Sequence, residues 1–230
     1  LEKYFDKKVT TVVNNSYELA KNYVQEVRNK IEADIVSAVP DSGIPAAIGY
    51  SNESGIPFDM GIIRNHYVGR TFIEPTQQIR QLGVKLKHNP NKEIIKNKKL
   101  ILVDDSIVRG TTSKKIVDML YNAGAKEIHL CISSPPIKYP DYYGIDTPNV
   151  KDLIAANYSI EEIKKIIGVD TLQFLTIDGL YRALGYEKRD NQNPQFTDHC
   201  FTGDYPVQPV DQLNQFEKNN QLSLLSNVRL

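Results

Sequence analysis

Apolar and polar positions alternate along the chain in blocks that predict short buried strands separated by helices. Apolar runs of strand length occur at 33–39, 56–63, 98–105 and 126–134. Helical spacing or helix-ending glycines mark the segments 17–31, 44–55 and 111–125. After about Pro135 the pattern loosens, with short helices predicted over 151–184 and an amphipathic helix from Gln208. This order predicts an α/β protein with a mostly parallel sheet flanked by helices and a helical C-terminal extension.

Two polar turns follow predicted strands of this sheet. PDSG, at 40–43, comes directly after the first apolar run, and DDSIVRGTTS, at 104–113, comes after the third. Ligands of parallel sheets bind beyond the carboxyl ends of the strands. The two turns are therefore the candidate binding site.

Composition removes several classes of function. Lys and Arg together number 28, as do Asp and Glu, so the overall charge gives no reason to expect a nucleic-acid or membrane partner. No apolar run is long enough to span a bilayer, and no signal peptide is recognisable. The two cysteines, Cys131 and Cys200, are too few for a disulfide framework. We expect a cytoplasmic protein in which Cys131, in an apolar strand, is a packing residue.

One local charge excess stands out. Residues 64–99 hold nine Lys or Arg against two acids, immediately before the strand that carries the acidic pair. Composition alone leaves two interpretations open, a solvated charged loop or a cover for an anionic ligand. The position beside the candidate site favours the cover.

The 104–113 turn combines two kinds of chemistry. Adjacent carboxylates, Asp104 and Asp105, need a cation or hydroxyl donors to remain ionised together, which vicinal ribose hydroxyls and Mg²⁺ supply. Gly110 permits a tight turn before Thr111, Thr112 and Ser113 open a helix. These hydroxyl residues suit ordinary helix capping or a phosphate site at a helix N-terminus. The combination with the acids favours a ribose 5-phosphate ligand.

The segment VDDSIVRGTTS, at 103–113, resembles the phosphoribosyl pyrophosphate (PRPP) signature of type I phosphoribosyltransferases. Several further segments resemble one family, amidophosphoribosyltransferase, in its order and over roughly 33–206. These are AVPDSGIPAAIGY, GIIRNHYVGRTFIEPTQQIRQLGVKLK, LVDDSIVRGTTSKKIVDMLYNAGAKEIHLCISSPP, YYGID and CFTGDYP.

The resemblance implies a type I phosphoribosyltransferase fold and transfer of phosphoribosyl from PRPP to ammonia, the first step of purine biosynthesis. It implies PRPP contacts from Asp41, Ser42, Gly43, Asp104, Asp105, Ser106, Gly110, Thr111, Thr112 and Ser113. It places Mg²⁺ near Ser42, Asp104 and Asp105, and a flexible catalytic loop at 64–91. Within that loop Arg64, Tyr67, Arg70 and Lys87 are the implied catalytic residues.

Two departures from the family lie in this loop. Arg64 stands where lysine is common, and His66 stands where arginine is usual. Arginine keeps the charge but changes the donor geometry. These departures bear on the rate rather than on the class of reaction.

The resemblance also shows what is missing. The family's N-terminal glutaminase domain has a terminal cysteine nucleophile, and the chain begins at Leu1, so we expect an excised or processed product that uses free ammonia. A separate glutaminase domain or chain is a candidate partner, purine nucleotides are expected inhibitors, and a homo-oligomer is expected. Some members hold an iron–sulfur cluster, but Asp141 and Thr197 stand at two of its ligand positions, so none is expected here.

The predicted organisation follows the same comparison. Residues 1–32 are a helical lead-in, 33–135 the transferase core, 136–206 the family-specific part of the same domain, and 207–230 a tail. Two other functions stay open: a purine salvage transferase, and a silent PRPP- or nucleotide-binding regulatory module.

Overall fold

A parallel sheet is the central element of the computed structural model, which describes residues 31–65, 88–143 and 149–207. In spatial order its described strands are β1 (Ile35–Ala38), β4 (Lys99–Asp104), β5 (Glu127–Ile132) and β6 (Thr171–Phe174), and every neighbouring pair is parallel. Two further strands, β2 (Ile62–Arg64) and β3 (His88–Pro90), form a separate antiparallel pair. The predicted α/β class is confirmed.

Helices flank the sheet and connect its strands. The described helices are α1 (Ile44–Ser54), α2 (Lys92–Ile95), α3 (Thr111–Asn122), a 3₁₀ helix (Val150–Asp152), α4 (Ile154–Asn157), α5 (Ile160–Ile167), α6 (Ile177–Ala183) and α7 (His199–Thr202). Helix α1 ends at Gly55, whose φ of 76° is left-handed and favours glycine. Helix α5 begins with a capping box between Ser159 and Glu162. None of these described helices has both the length and the apolar character needed to cross a membrane.

The core occupies both faces of the sheet. Along β4, Leu100 and Leu102 belong to a cluster with residues of α3 and α5. Ile101 and Val103 point to the other face, where they join a cluster with residues of α1. A strand covered on both faces needs apolar residues at consecutive positions, which explains the unbroken run that predicted it.

Two predicted elements differ from the structure. The strand expected over 56–63 is shorter, because only Ile62–Arg64 forms a strand and Phe58 makes an isolated bridge with Val36. The segment predicted to be helical over 151–184 contains β6, whose four residues pair with β5. The predicted helix from Gln208 lies outside the described residues, as does the one over 17–31 apart from its last position.

Candidate functional site

The turn at 40–43 packs tightly against the end of β4. Gly43 donates its backbone N–H to the Val39 carbonyl at 3.0 Å, and the Pro40–Asp41 peptide bond is cis. A Cβ atom on Gly43 would lie 2.5 Å from the carbonyl oxygen of Val103 and 2.9 Å from that of Val39. A side chain does not fit there, so this close approach explains the glycine.

The acidic pair emerges where β4 leaves the core. Asp104 is 7% exposed, whereas Asp105 is exposed and donates its backbone N–H to Asp104 Oδ1 at 2.9 Å. Burial, reinforced by the negative charge of Asp105, raises the pKa of Asp104 well above its usual range. A bound cation would oppose both effects and favour the ionised carboxylate, so the site is suited to a ligand that brings positive charge.

A hydrogen bond joins the two turns. Ser42 Oγ donates to Asp105 Oδ1 at 3.2 Å, although the residues are 63 positions apart. The parallel register that places Ala38 beside Val103 brings the ends of β1 and β4 together. The predicted PRPP-binding residues of both turns therefore share one edge of the sheet.

The hydroxyl residues open α3 without capping it. The N-cap position is Gly110, with a φ of 73°, and no side chain accepts a hydrogen bond there. Thr111 and Thr112 are exposed, and Ser113 is buried. The first turn of a helix leaves backbone N–H groups without intrahelical partners. These hydroxyls therefore do not cap the helix in the ordinary way, and the backbone donors of its first turn stay available to a ligand.

Arg64 reaches the 40–43 turn from the end of β2. Its guanidinium forms an ion pair with the Asp41 carboxylate. The base of the β2–β3 hairpin is fastened nearby: Gly61 donates its N–H to Ser37 Oγ at 3.0 Å and accepts from the Asn91 N–H at 2.8 Å. The two described ends of the predicted catalytic loop are thus anchored on β1, beside the candidate site.

The rest of the basic stretch is only partly accounted for. Tyr67, Arg70 and Lys87 lie outside the described residues, as does His66. Lys99 pairs with Glu127 at 3.0 Å at the amino end of β4, the edge opposite the site. The Lys98 carbonyl accepts from Lys126 at the same edge. The prediction that the basic residues of 64–99 cover the ligand is therefore wrong for Lys98 and Lys99.

The cysteines and the expected cluster positions lie elsewhere. Cys131 is 2% exposed within β5, which confirms its packing role. His199 Nε2 donates to the carboxylate of Asp141 at 2.8 Å, and Thr197 is exposed. This donor set does not fit an iron–sulfur cluster, which takes about four thiolates. Burial raises the pKa of the Cys200 thiol to about 11, so it is a poor nucleophile at neutral pH.

One contact of the site was missed by sequence reasoning. The backbone N–H of Ile154 donates to the Val108 carbonyl at 2.9 Å, within the 104–113 turn. Its side chain also lies against Gly110. Nothing in the pattern around Ile154 distinguishes it from any other apolar residue, so the sequence held no signal for this contact.

Comparison with known proteins agrees with this architecture. The family model described as "Phosphoribosyl transferase domain" matches residues 8–146. The chain belongs to this family of phosphoribosyltransferases.

Among individual proteins the chain is similar to amidophosphoribosyltransferases. It is 56% identical to that of Rhizobium etli over 218 residues, which is 94% of this chain and 42% of the relative. It is 50% identical to that of Bacillus subtilis over 190 residues, 83% of this chain and 39% of the relative. A solved structure of glutamine PRPP amidotransferase from B. subtilis, complexed with ADP and GMP, has a TM-score of 0.75 at 49% identity and covers 86% of this chain and 43% of that one. The chain thus spans about two fifths of the length of these relatives.

Proposed function

We propose that this chain transfers the phosphoribosyl group of PRPP to ammonia, giving 5-phosphoribosylamine and pyrophosphate, the first step of purine biosynthesis. The observation that carries the proposal is the hydrogen bond from Ser42 to Asp105, which joins a glycine-containing turn to an acidic and hydroxyl-rich one at the carboxyl edge of the sheet. The similarity to amidophosphoribosyltransferases supports the choice of ammonia as acceptor.

The 104–113 turn would hold the ribose 5-phosphate half of the substrate. The backbone donors at the start of α3 suit the phosphate, which the helix dipole also favours. The carboxylates of Asp104 and Asp105 suit the two ribose hydroxyls, which donate hydrogen bonds to ionised acids. These contacts fix C1 of the sugar between the two turns.

Mg²⁺ fits the oxygen atoms of Asp104, Asp105 and Ser42. Among the described residues no three Asp, Glu, His or Cys side chains form a metal-binding group. Magnesium sites on phosphate substrates commonly use only one or two carboxylates, the rest of the ligands being phosphate oxygens and water. When bound, the ion would neutralise part of the charge on the leaving pyrophosphate.

The 40–43 turn and Arg64 would act on that leaving group. The ammonia lone pair forms the new bond to C1, the C1–O bond to pyrophosphate breaks with its electron pair, and the ammonium product releases a proton to solvent. Negative charge on pyrophosphate grows as the bond breaks, so donors that bind it more tightly then lower the barrier. The ion pair between Arg64 and Asp41 supports this role for Arg64, and Tyr67, Arg70 and Lys87 are proposed to join it.

Free ammonia is the acceptor that the chain can use by itself. In amidophosphoribosyltransferases the nucleophile that extracts ammonia from glutamine is a cysteine, and this sequence has two cysteines. Cys131 is buried in a strand, and the pKa of Cys200 is raised to about 11 by burial. We therefore propose that glutamine becomes a substrate only when a glutaminase is supplied. The B. subtilis structure is a complex with ADP and GMP, which supports our proposal that this chain binds purine nucleotides and is inhibited by them.

Pyrophosphate release from PRPP with Mg²⁺ tests the proposal, with ammonium chloride, glutamine, adenine, guanine or hypoxanthine as the acceptor. Release that rises with ammonium alone is the expected result. Asp105→Asn should abolish it, whereas Asp118→Asn, on the exposed side of α3, is the matched control that should not. Release driven by a purine base would replace the proposal with salvage. Tight PRPP binding without release would favour a regulatory module.

A further inference from the structure

Residues 150–157, called the brace below, lie between β5 and α5 and pack against the middle of the 104–113 turn. The Ile154 N–H donates to the Val108 carbonyl at 2.9 Å. A Cβ atom on Gly110 would lie 2.7 Å from Ile154 Cδ1, so this methyl group lies directly on the glycine. Arg109 Nη2 lies 3.9 Å from Asp152 Oδ2, a looser contact between exposed side chains.

The brace is itself held firmly. Leu153 is completely buried and Ile154 is 6% exposed. Asn157 Nδ2 donates to the carbonyl oxygens of both Val150 and Leu153 at 2.8 Å. The backbone of the brace is therefore fixed by its own side chains and by the core.

The turn is anchored in the core by Ile107, which is 2% exposed, but it has no regular secondary structure at this point. Residues 106–110 form no helix or strand, and Gly110 adopts a left-handed φ of 73° with no capping side chain. The conformation of Gly110 sets the direction of the backbone N–H groups that follow it in α3. Contact from Ile154 on Gly110 and on the Val108 carbonyl restricts that conformation from outside the turn.

We propose that Ile154 is a positioning residue for the phosphate end of the substrate. It touches no substrate atom; it holds Gly110 so that the N–H groups of Thr111–Ser113 converge on one phosphate. The role rests on the proposed function, because it presumes that this turn binds a ribose 5-phosphate. It assigns a part in binding to a segment that lies more than 40 residues beyond the turn.

The prediction is selective weakening of one half of the substrate. Ile154→Ala should weaken binding of ribose 5-phosphate and of PRPP by about tenfold, since small misplacements of binding groups have effects of that order. Binding of magnesium pyrophosphate, which the other turn holds, should not change. In turnover, KM for PRPP should rise while kcat stays near its wild-type value. Calorimetry with the three ligands and initial rates with ammonium measure these effects.

The matched control is Ile128→Ala. Ile128 is fully buried in the same core cluster but lies at the amino end of β5, away from the turns. It should lower the unfolding temperature without changing the affinity for any of the three ligands. Ile154→Val removes the Cδ1 methyl group that lies on Gly110 but keeps the rest of the buried side chain. It should fall between wild type and Ile154→Ala in affinity for ribose 5-phosphate, and it serves where the alanine variant does not fold.

Three results would overturn the inference: unchanged affinity for ribose 5-phosphate in both Ile154 variants, equal weakening of all three ligands, or the same selective weakening in Ile128→Ala. Failure of the proposed function looks different, because wild type would then release no pyrophosphate from PRPP in response to ammonium. If wild type releases pyrophosphate with ammonium and both Ile154 variants have the same affinities and rates, the role of Ile154 is refuted and the proposed function stands.

Discussion

Asp104 stands at the carboxyl end of β4 with little access to water and with the carboxylate of Asp105 beside it. Burial and that neighbouring charge raise its pKa in the ligand-free protein. A carboxyl group whose folded-state pKa is raised favours folding while it is protonated. Its contribution is lost as the pH rises through the folded-state pKa, so at neutral pH Asp104 opposes folding. This destabilising acid is explained by the proposed function, in which ionised Asp104 would bind the ribose hydroxyls and the metal.

Asp104→Asn should therefore stabilise the ligand-free chain while abolishing PRPP binding. The amide oxygen keeps the hydrogen bond from the Asp105 N–H and removes the buried charge. We expect a gain of about 1–3 kcal/mol at about pH 8, and a smaller gain at about pH 5. For a chain of this size that is roughly 2–4 °C in Tm per kcal/mol.

Thermal unfolding at both pH values and calorimetry with PRPP measure the two effects of Asp104→Asn. Asp118→Asn, exposed on α3, is the control that should change neither. Lower stability of Asp104→Asn at about pH 8 would contradict this account of Asp104.

At the scale of residues, the sequence identifies side chains suited to binding a ligand better than it identifies which residues contact one another. Asp104, Asp105 and Ser42 are recognisable because adjacent acids and a Ser–Gly turn follow apolar runs. The need for glycine at position 43 comes from the Val103 carbonyl, which belongs to another strand. Ile154 likewise gains its role from packing across the fold. A single sequence does not contain such distances.

At the scale of elements, the 40–43 turn depends on the strand beside it. Gly43→Ala would bring a methyl group to 2.5 Å from the Val103 carbonyl, so either the turn or the end of β4 must shift. We expect a loss of about 1–3 kcal/mol in unfolding free energy, the usual effect of overpacking. The affinity for magnesium pyrophosphate should fall as well, because the same shift moves Ser42.

Denaturant unfolding and calorimetry with magnesium pyrophosphate check this prediction. The control is Gly55→Ala at the end of α1, where φ is positive, unlike that of Gly43, and nothing lies within 4 Å of the added atom. It should lose some stability through backbone strain and keep its affinity for pyrophosphate. A Gly43→Ala variant that binds pyrophosphate like wild type would refute the argument from crowding.

Elements with strong patterns of their own were predicted from the sequence, and elements that depend on a partner were not. β1, β4, β5 and α3 each carry an apolar run or a helical repeat long enough to identify them. β6 has four residues, of which only Leu172 is buried, and its pairing with β5 makes it a strand. Over 56–61 the expected strand is reduced to a single bridge, from Phe58 to Val36, and Pro57 beside it has no N–H to donate to a ladder.

At the scale of the molecule, a buried ionic network holds together the part that follows β6. Arg189 Nε donates to Asp198 Oδ2 at 2.6 Å, and its Nη2 donates to Asp204 Oδ2 at 2.5 Å. Tyr181 donates its hydroxyl to Asp198 at 2.8 Å. Burial alone would raise the pKa of Asp198, but hydrogen bonds from Arg189, Tyr181 and Thr202 outweigh it and lower the pKa. Asp198 therefore stabilises the fold in its ionised form.

Asp198→Asn should lower the free energy of unfolding by about 3 kcal/mol at neutral pH, because it leaves the buried Arg189 guanidinium without its main counter-charge. The stabilisation by Asp198 is fully present above its ordinary pKa of about 4 and is lost as the pH falls through the lower folded-state value. The difference between wild type and variant should therefore shrink in acid.

Urea unfolding across this pH range measures the difference. Asp204→Asn, in the exposed arm of the same network, should cost well under half as much, because solvent screens that pair. Equal losses of unfolding free energy in the two variants would show that burial does not determine how much each ion pair contributes to stability. The sequence offered no means of finding it, because residues 185–207 have neither apolar periodicity nor a recognisable ionic motif.

The β2–β3 hairpin has a consequence for how such a protein can change over evolutionary time. Arg64 and His88 are directly paired, and both ends of the hairpin are fastened to β1 through Gly61. The described strands on either side of residues 66–87 are therefore held next to each other, with the Cα atoms of Arg64 and His88 about 5 Å apart. The intervening segment can lengthen, shorten or be exchanged at little entropic cost and without moving β1 or β4. Sequence changes in that segment can therefore accumulate while the turns after β1 and β4 keep their arrangement.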